Sequence, residues 1–394
     1  MSNVAFLVDP DFAQTHVGVR NYIFALKALI EKHGHATHLI MIDQDQQWYS
    51  IHYANHGFEE NNGGTDIRIA AAPRDMLRQF YARAATSRRS DVHKVALGSR
   101  FPAGLFDMCI ITAPWAVRFD ERLPGTLLLG LVHDVIPNIH ALVKPTHPFG
   151  FADEHRRGYE YYLRHCDAII TNSADTAKSF EQFFGGGRRV QPLPPLVPKA
   201  FLSAPVPQDQ RGNTVLLAGP LDPRKGLQQL PALLNSLDAA CDSVTMFGAI
   251  RCRETDAHDF FRALRTEHLI WYPTISAAEL VRLYARSRLL LFPSLEEGLG
   301  IPIIEAQWMG ARVAVRAKSP MRDLALEGHV LLDERPDPAG AEKEAQHYAP
   351  LLLNALQDKA FDHAKLAETA RRRFNPEVAL SVLSRLGVDL LSLD

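Results

Sequence analysis

Residues 292–306 read FPSLEEGLGIPIIEA. The apolar run 289–292 that leads into them is predicted to be a buried strand, and Gly298 and Gly300 supply the freedom for a sharp turn and a close approach to a ligand. Pro302 suits the first turn of a following helix. The free N–H groups and positive dipole end of that helix then lie beside the backbone of Gly298, Leu299, Gly300 and Ile301, where they favour an anion such as a diphosphate. Glu297 stands just before the helix and Glu305 just inside it, with seven residues between them. Two acidic acceptors flanking a phosphate-sized site can take hydrogen bonds from hydroxyl groups on either side, the layout that a sugar nucleotide presents. First-turn acids that only answer the helix dipole give the same local pattern, so the surrounding sequence has to decide.

The chain has 394 residues, beyond the size at which one hydrophobic core stops growing, so two domains are expected. Forty-three basic residues against forty-five acidic ones give a net charge of −2, which argues against nucleic acid as a partner. The cysteines Cys109, Cys166, Cys241 and Cys252 lack metal-ligand spacing and read as reduced, mostly buried thiols. No metal is expected. The start MSNVAFLVDPDF lacks the basic lead and long apolar stretch of a signal peptide, and no apolar run is long enough to span a bilayer. The expected location is the cytoplasm.

Short apolar runs alternate with amphipathic stretches, the pattern of an α/β chain with parallel sheets covered on both faces. Residues 4–8, 37–42, 108–112, 127–132 and 167–171 are predicted strands of a first set, and 214–218, 243–247, 269–272, 288–292 and 312–315 of a second. Between the sets, residues 191–208 carry six prolines and read as an extended linker. The predicted domains are 1–195 and 196–373, two doubly wound, Rossmann-like units whose strands end at a common cleft. Residues 53–66 are polar and rich in Asn and Gly, which reads as a loop.

The stretch FPSLEEGLGIPIIEAQWMGARVAV, residues 292–315, resembles the E-x7-E signature of retaining glycosyltransferases of family 4 type, group 1, which have the GT-B fold. The likeness takes in Pro293 and Ser294 after the strand and Gly310 after the helix. It implies that Glu305 holds the ribose hydroxyls of a nucleoside diphosphate sugar, GDP- or UDP-linked, and Glu297 a hydroxyl of the sugar. It also implies that the last segment, 374–394, is a helix crossing back to the first domain. The GxGxxG fingerprint of dinucleotide enzymes follows no predicted strand.

A second strand-turn-helix segment, LLAGPLDPRKGLQQL at residues 216–230, puts Lys225 and Gly226 at a predicted helix start. A cation is disfavoured at that end of a helix unless an anion is bound there. In the family an arginine and a lysine after this strand hold the donor diphosphate. Lys225 matches the lysine, Pro220 stands where the arginine is usual, and the neighbouring Arg224 is the candidate replacement. In the segment DPDFAQTHVGVRNY, residues 9–22, Gly18 resembles part of the family's glycine-rich first loop, which approaches donor phosphate or acceptor. VHDVIP, residues 132–137, matches an HDxIP motif of bacterial polysaccharide transferases and implies that His133 bonds the transferred sugar while Asp134 positions sugar or acceptor. The resemblance also implies that Ile275, after the predicted strand 269–272, is a nucleobase contact, since related enzymes hold the base there through backbone groups. Ser173 is expected to cap a helix.

Met76, Leu77, Phe80, Tyr81 and Ala84 share one helical face, with Arg78, Arg83, Arg88 and Arg89 around it. A peripheral contact with an anionic membrane carrying a lipid-linked acceptor fits this pattern, and so does a core-packed helix with a solvated basic side. The resemblance implies transfer of a sugar to a hydroxyl of a glycan or lipid-linked glycan, with a lean toward GDP-mannose and surface polysaccharide synthesis. A GT-B epimerase, an inverting transferase and a non-catalytic sugar-nucleotide-binding subunit share the same residues and stay open at this point.

Overall fold

The computed structural model describes residues 1–9, 12, 17–53, 66–84, 92–143, 150–185, 190–207, 211–266, 268–337 and 340–386. Most of the loop expected at 53–66 lies outside them. The chain forms two compact units: one of residues 1–56, 89–199 and 374–394, the other of 57–88 and 200–373.

The first unit is built on an eight-stranded sheet in the order Val92–Gly98, Trp48–Tyr53, Ala36–Ile42, Asn3–Leu7, Met108–Ile111, Leu127–Val132, Ala168–Thr171, Val190–Pro192. Its pairings are parallel from Ala36–Ile42 through Val190–Pro192, and the first two strands pair antiparallel at the edge. The central runs are almost wholly apolar because both of their faces are covered. Ser173 caps the helix Ala174–Phe184, its Oγ accepting from Thr176 N at 3.0 Å. The helix Glu377–Arg385 belongs to this unit, with Leu380 and Leu383 buried. Glu377 accepts from Lys32 Nζ at 2.5 Å and from His33 Nε2 at 2.7 Å.

The second unit carries a seven-stranded sheet in the order Val330–Leu332, Arg312–Arg316, Leu289–Phe292, Thr214–Ala218, Ser243–Phe247, Leu269–Thr274, Ile67–Ala71. All pairings are parallel except the last, where Ile67–Ala71 runs antiparallel to Leu269–Thr274. That edge strand is a difference from the expected boundary at residue 196: the chain enters this unit once early, through 57–88, and again from residue 200. The physical reason is burial. The helix Met76–Ala84 that follows the edge strand sinks Met76 and Leu77 into the core, roughly 2 kcal/mol each, and Phe80 stacks on the fully buried Trp271 at 4.8 Å. Met76, Leu77 and Phe80 of its apolar face are therefore engaged with the protein's own core, whereas Tyr81 is exposed. Asp66 adds a polar tie, accepting from Ser276 N at 2.5 Å beside the capping contact of Ser276 Oγ with Glu279 N.

Arg316, at the end of the strand next to the sheet edge, is fully buried and forms an ion pair with buried Glu344. Breaking such a pair is costly because the remaining charge stays desolvated. No helix among the described residues is long and apolar enough to cross a membrane.

Candidate functional site

In the second unit the strands step outward in two directions from the adjacent pair Thr214–Ala218 and Leu289–Phe292. Ligands of open parallel sheets bind beyond the carboxyl ends of the strands at such a reversal of order. The two turns that leave this pair are residues 219–226 and 293–300, the segments singled out from the sequence.

The second turn ends at Gly300, whose left-handed backbone (φ 92°, ψ 46°) caps the helix Ile301–Trp308 with Pro302 in its first turn. Gly300, and not Gly298, is the position that requires glycine for a positive φ. Leu299 is buried, whereas Gly298 and Ile301 are half-buried. Within that first turn Ile303 N donates to the Gly300 carbonyl at 2.9 Å, and Pro302 has no N–H to offer.

The first turn departs from expectation. Lys225 does not start an α-helix: it ends the short 3-10 turn Pro223–Lys225, closed by left-handed Gly226, and the next helix is Leu230–Asn235. Asp222 nucleates the tight turn by accepting from Arg224 N at 2.9 Å. Gly226 then presses on the other turn so closely that a Cβ there would sit 2.5 Å from the Pro293 carbonyl oxygen. The dipole of an α-helix therefore plays no part at Lys225, and its position has another cause.

That cause is Glu297. Lys225 Nζ lies 2.5 Å from Glu297 Oε1 and 4.6 Å from the Phe292 ring centroid, and Gly219 lies beneath its Cε at 3.5 Å, measured from a Cβ built there. Arg224 Nη1 donates to the Glu296 carbonyl at 2.7 Å and stands 3.5 Å from Glu297 Oε2. Lys318 Nζ donates to the Leu295 carbonyl at 3.2 Å, and Arg316 Nε to that of Pro293 at 3.3 Å. The carbonyls of Pro293, Leu295 and Glu296 are thus each held by a cation. Burial alone would raise the Glu297 carboxyl, but the charges of Lys225 and Arg224 outweigh it and hold the group below the usual range. Burial and the nearby Arg224 lower Lys225, against the pull of Glu297.

Glu305, one turn into the helix, is 4 % exposed. Burial pushes its carboxyl up to about 7, and a 2.9 Å hydrogen bond from Tyr284 Oη to Oε2 works in the opposite direction. Ile275 is buried just after the strand Leu269–Thr274.

Residues 199–372 match the family model described as Glycosyl transferases group 1. This segment belongs to that family. The turns around Lys225 and Glu297 are therefore turns of a group 1 domain. The serotype-specific mannosyltransferase WbdA of Escherichia coli is 27 % identical over 231 residues, a match that spans 52 % of this chain and 28 % of that protein. Among solved structures, Anabaena HepE in complex with UDP and glucose superposes with a TM-score of 0.62 at 14 % identity, over 98 % of this chain and 99 % of that one. WaaG, a glycosyltransferase involved in lipopolysaccharide biosynthesis, gives a TM-score of 0.57 at 13 % identity, over 97 % and 99 %. At such identities the likeness is one of fold, and the fold is GT-B.

Outside the group 1 domain, in the first unit, strand order reverses between Asn3–Leu7 and Met108–Ile111. His133, just past the strand Leu127–Val132, is buried, and its Nε2 is 2.9 Å from the Thr112 carbonyl it donates to. Its ring meets Tyr22 edge-on at 5.7 Å. Asp134 accepts from Ile136 N at 3.0 Å, holding the start of the helix Ile136–Val143. Gly18 lies in the first turn of the helix Val17–Lys32, exposed, and a Cβ there would meet nothing within 4 Å among the described residues. The fold itself does not demand glycine there.

Sequence reading did not single out Tyr284, Lys318 or Arg316, nor the contact of Trp115 Nε1 with buried Asp9 Oδ2 at 3.0 Å. Tyr284 sits in an amphipathic run that reads as core, and nothing in its spacing pairs it with Glu305. Asp9 was within reach: an acid directly after the first strand of an α/β unit is placed for function.

Proposed function

We propose that this chain transfers a sugar from a nucleoside diphosphate sugar to a hydroxyl of a glycan or lipid-linked glycan, with retention at the anomeric carbon. The observation that carries the reading is the meeting of Lys225, Glu297 and the Gly300 helix start at the point of strand reversal, with Glu305 buried a turn further on. The chain spans 28 % of the length of the curated mannosyltransferase reported above, so its substrates rest on chemistry rather than on that name.

Departure of the diphosphate is the demanding step, and charge develops on its oxygens as the bond to the anomeric carbon breaks. Lys225 and the amides around 298–301 are preorganised cationic and dipolar groups for that charge. The lysine is held by Glu297 before any substrate arrives, so little reorganisation accompanies binding. Arg224 already serves the 296–297 backbone and carboxylate, which makes it a support of the loop as much as a phosphate ligand. Glu305 accepts from the ribose hydroxyls, Glu297 from a sugar hydroxyl, and Ile275 lies along the base. In the first unit, His133 and Asp134 contact sugar or acceptor, and Gly18 lets the protein backbone come close to donor phosphate or acceptor. The acceptor oxygen bonds to the anomeric carbon on the face the diphosphate leaves, and the departing phosphate takes the acceptor proton. No side-chain nucleophile is needed.

The HDVIP motif and the mannosyltransferase relative both favour GDP-mannose as donor and surface polysaccharide as product. Synthesis on the cytoplasmic face of a membrane, with peripheral attachment, follows from a lipid-linked acceptor. The test is incubation with GDP-mannose or UDP-glucose and a panel of lipid-linked glycans. Proton NMR of the product is expected to show the anomeric configuration of the donor. An inverted product, or donor consumption without acceptor, would overturn the reading.

A further inference from the structure

Tyr284 lies on the helix Ala277–Arg286, outside the E-x7-E segment, and is fully buried. Its ring is held edge-on by Phe201 at 5.6 Å and by Phe247 at 6.0 Å. Packing therefore fixes the phenol independently of its hydroxyl. The hydroxyl donates to Oε2 of Glu305 at 2.9 Å, and Oε1 has no hydrogen-bond partner among the described residues. A desolvated carboxylate with one oxygen satisfied and one open is an acceptor waiting for a donor. A ribose diol supplies such donors.

We propose that Tyr284 is a positioning residue for donor recognition: its hydrogen bond to Oε2 fixes the Glu305 carboxylate so that Oε1 accepts from the ribose, which makes nucleotide affinity proton-linked. The inference rests on the nucleotide-sugar reading of the same site.

The helix carrying Glu305 packs against the helices Ala277–Arg286, Met321–Leu324 and His363–Arg373 and the strands Leu289–Phe292 and Arg312–Arg316. The inward charged groups of these elements are engaged elsewhere. Arg312 bonds the Gly328 carbonyl and pairs with Asp358, and Arg316 pairs with Glu344. His363 bonds the Gly310 carbonyl, and Arg371 the Ala204 carbonyl. Besides burial, the tyrosine hydrogen bond is the influence that acts on Glu305. Burial and the Glu305 carboxylate push the Tyr284 phenol well above its ordinary value, so it stays the donor throughout the working range. With Glu305 at about 7, hydroxyl donors find the charged acceptor above neutrality and lose it as pH falls.

The experiment is calorimetric titration of the full chain with UDP and with GDP from pH 6 to 9, for the wild type, Tyr284→Phe and Glu305→Gln. Variants are compared with the wild type at each pH, so that titration of the nucleotide itself cancels. Tyr284→Phe keeps the packed ring and is expected to weaken affinity about tenfold at pH 7, with most of the loss recovered at pH 9. Glu305→Gln is expected to abolish the pH dependence that separates the other two. Unchanged affinity in Tyr284→Phe, or a loss of equal size at every pH, overturns the positioning role alone. If the wild type binds neither nucleotide, the donor reading falls and this inference with it.

Discussion

Lys225 and Glu297 are 72 positions apart in the chain, yet Nζ and Oε1 meet at 2.5 Å at the point where the strand order of the second unit reverses. The contact joins the two turns that leave the central strand pair. It explains why a lysine that starts no helix is nonetheless fixed in place, and why the carboxylate stays ionised in spite of burial. The side chains are 13 % and 10 % exposed, so water screens the pair only in part.

A double-mutant cycle measures this coupling. Lys225→Met and Glu297→Gln, singly and together, are expected to show an interaction of about 1 to 3 kcal/mol in urea unfolding. Either single change strands a partly buried charge, so the double variant should be more stable than the sum of the two losses implies. Strict additivity would contradict a direct role for the pair in holding the turns together.

Gly226→Ala probes the seam between the same turns. The new Cβ would sit on a left-handed residue (φ 76°) and 2.5 Å from the Pro293 carbonyl oxygen. The expected loss is roughly 1 to 3 kcal/mol, read as a fall in the thermal unfolding midpoint. An unchanged midpoint would mean that the seam yields more easily than its geometry implies.

Glu305→Gln is expected to stabilise the ligand-free protein at alkaline pH. The folded carboxyl titrates at about 7 against an ordinary 4.5, so the native state favours the protonated form. The stability that this group confers is full below its ordinary value and declines as pH rises toward 7. Glutamine accepts from Tyr284 without carrying charge, so its advantage over the wild type should be greatest at pH 8, on the order of 3 kcal/mol, and vanish near pH 4.5. Thermal unfolding across that range checks the sign. Destabilisation at pH 8 would show that the ionised group is better solvated than its burial implies.

The two sheets were legible because parallel strands covered on both faces are nearly pure apolar runs; 127–132, 214–218 and 243–247 match the observed strands residue for residue. The insertion of 57–88 into the second unit was not legible. Its edge strand Ile67–Ala71 pairs antiparallel with a strand some 200 positions later, a non-local choice made by the burial of Met76 and Leu77 and by the stacking of Phe80. Motif spacing singled out Glu297, Gly300, Glu305 and Lys225. It misjudged the 223–226 segment because Asp222 and Gly226 favour a closed 3-10 turn over a helix start, an outcome that depends on Pro293 lying across the glycine. Tyr284 stayed hidden because a buried aromatic on an amphipathic helix needs no partner to explain it.

The central claim is that Lys225 holds the diphosphate of a nucleotide donor, and the most direct measurement is the affinity of GDP and UDP for the wild type and for Lys225→Ala by calorimetry, with circular dichroism confirming that the variant folds. The expected result is saturable binding of one of the two nucleotides by the wild type and a loss of at least about tenfold in the folded variant, since charge-assisted phosphate contacts of this kind carry roughly 1.5 to 3 kcal/mol. Equal affinity in both proteins, or no nucleotide binding by the wild type, would contradict it.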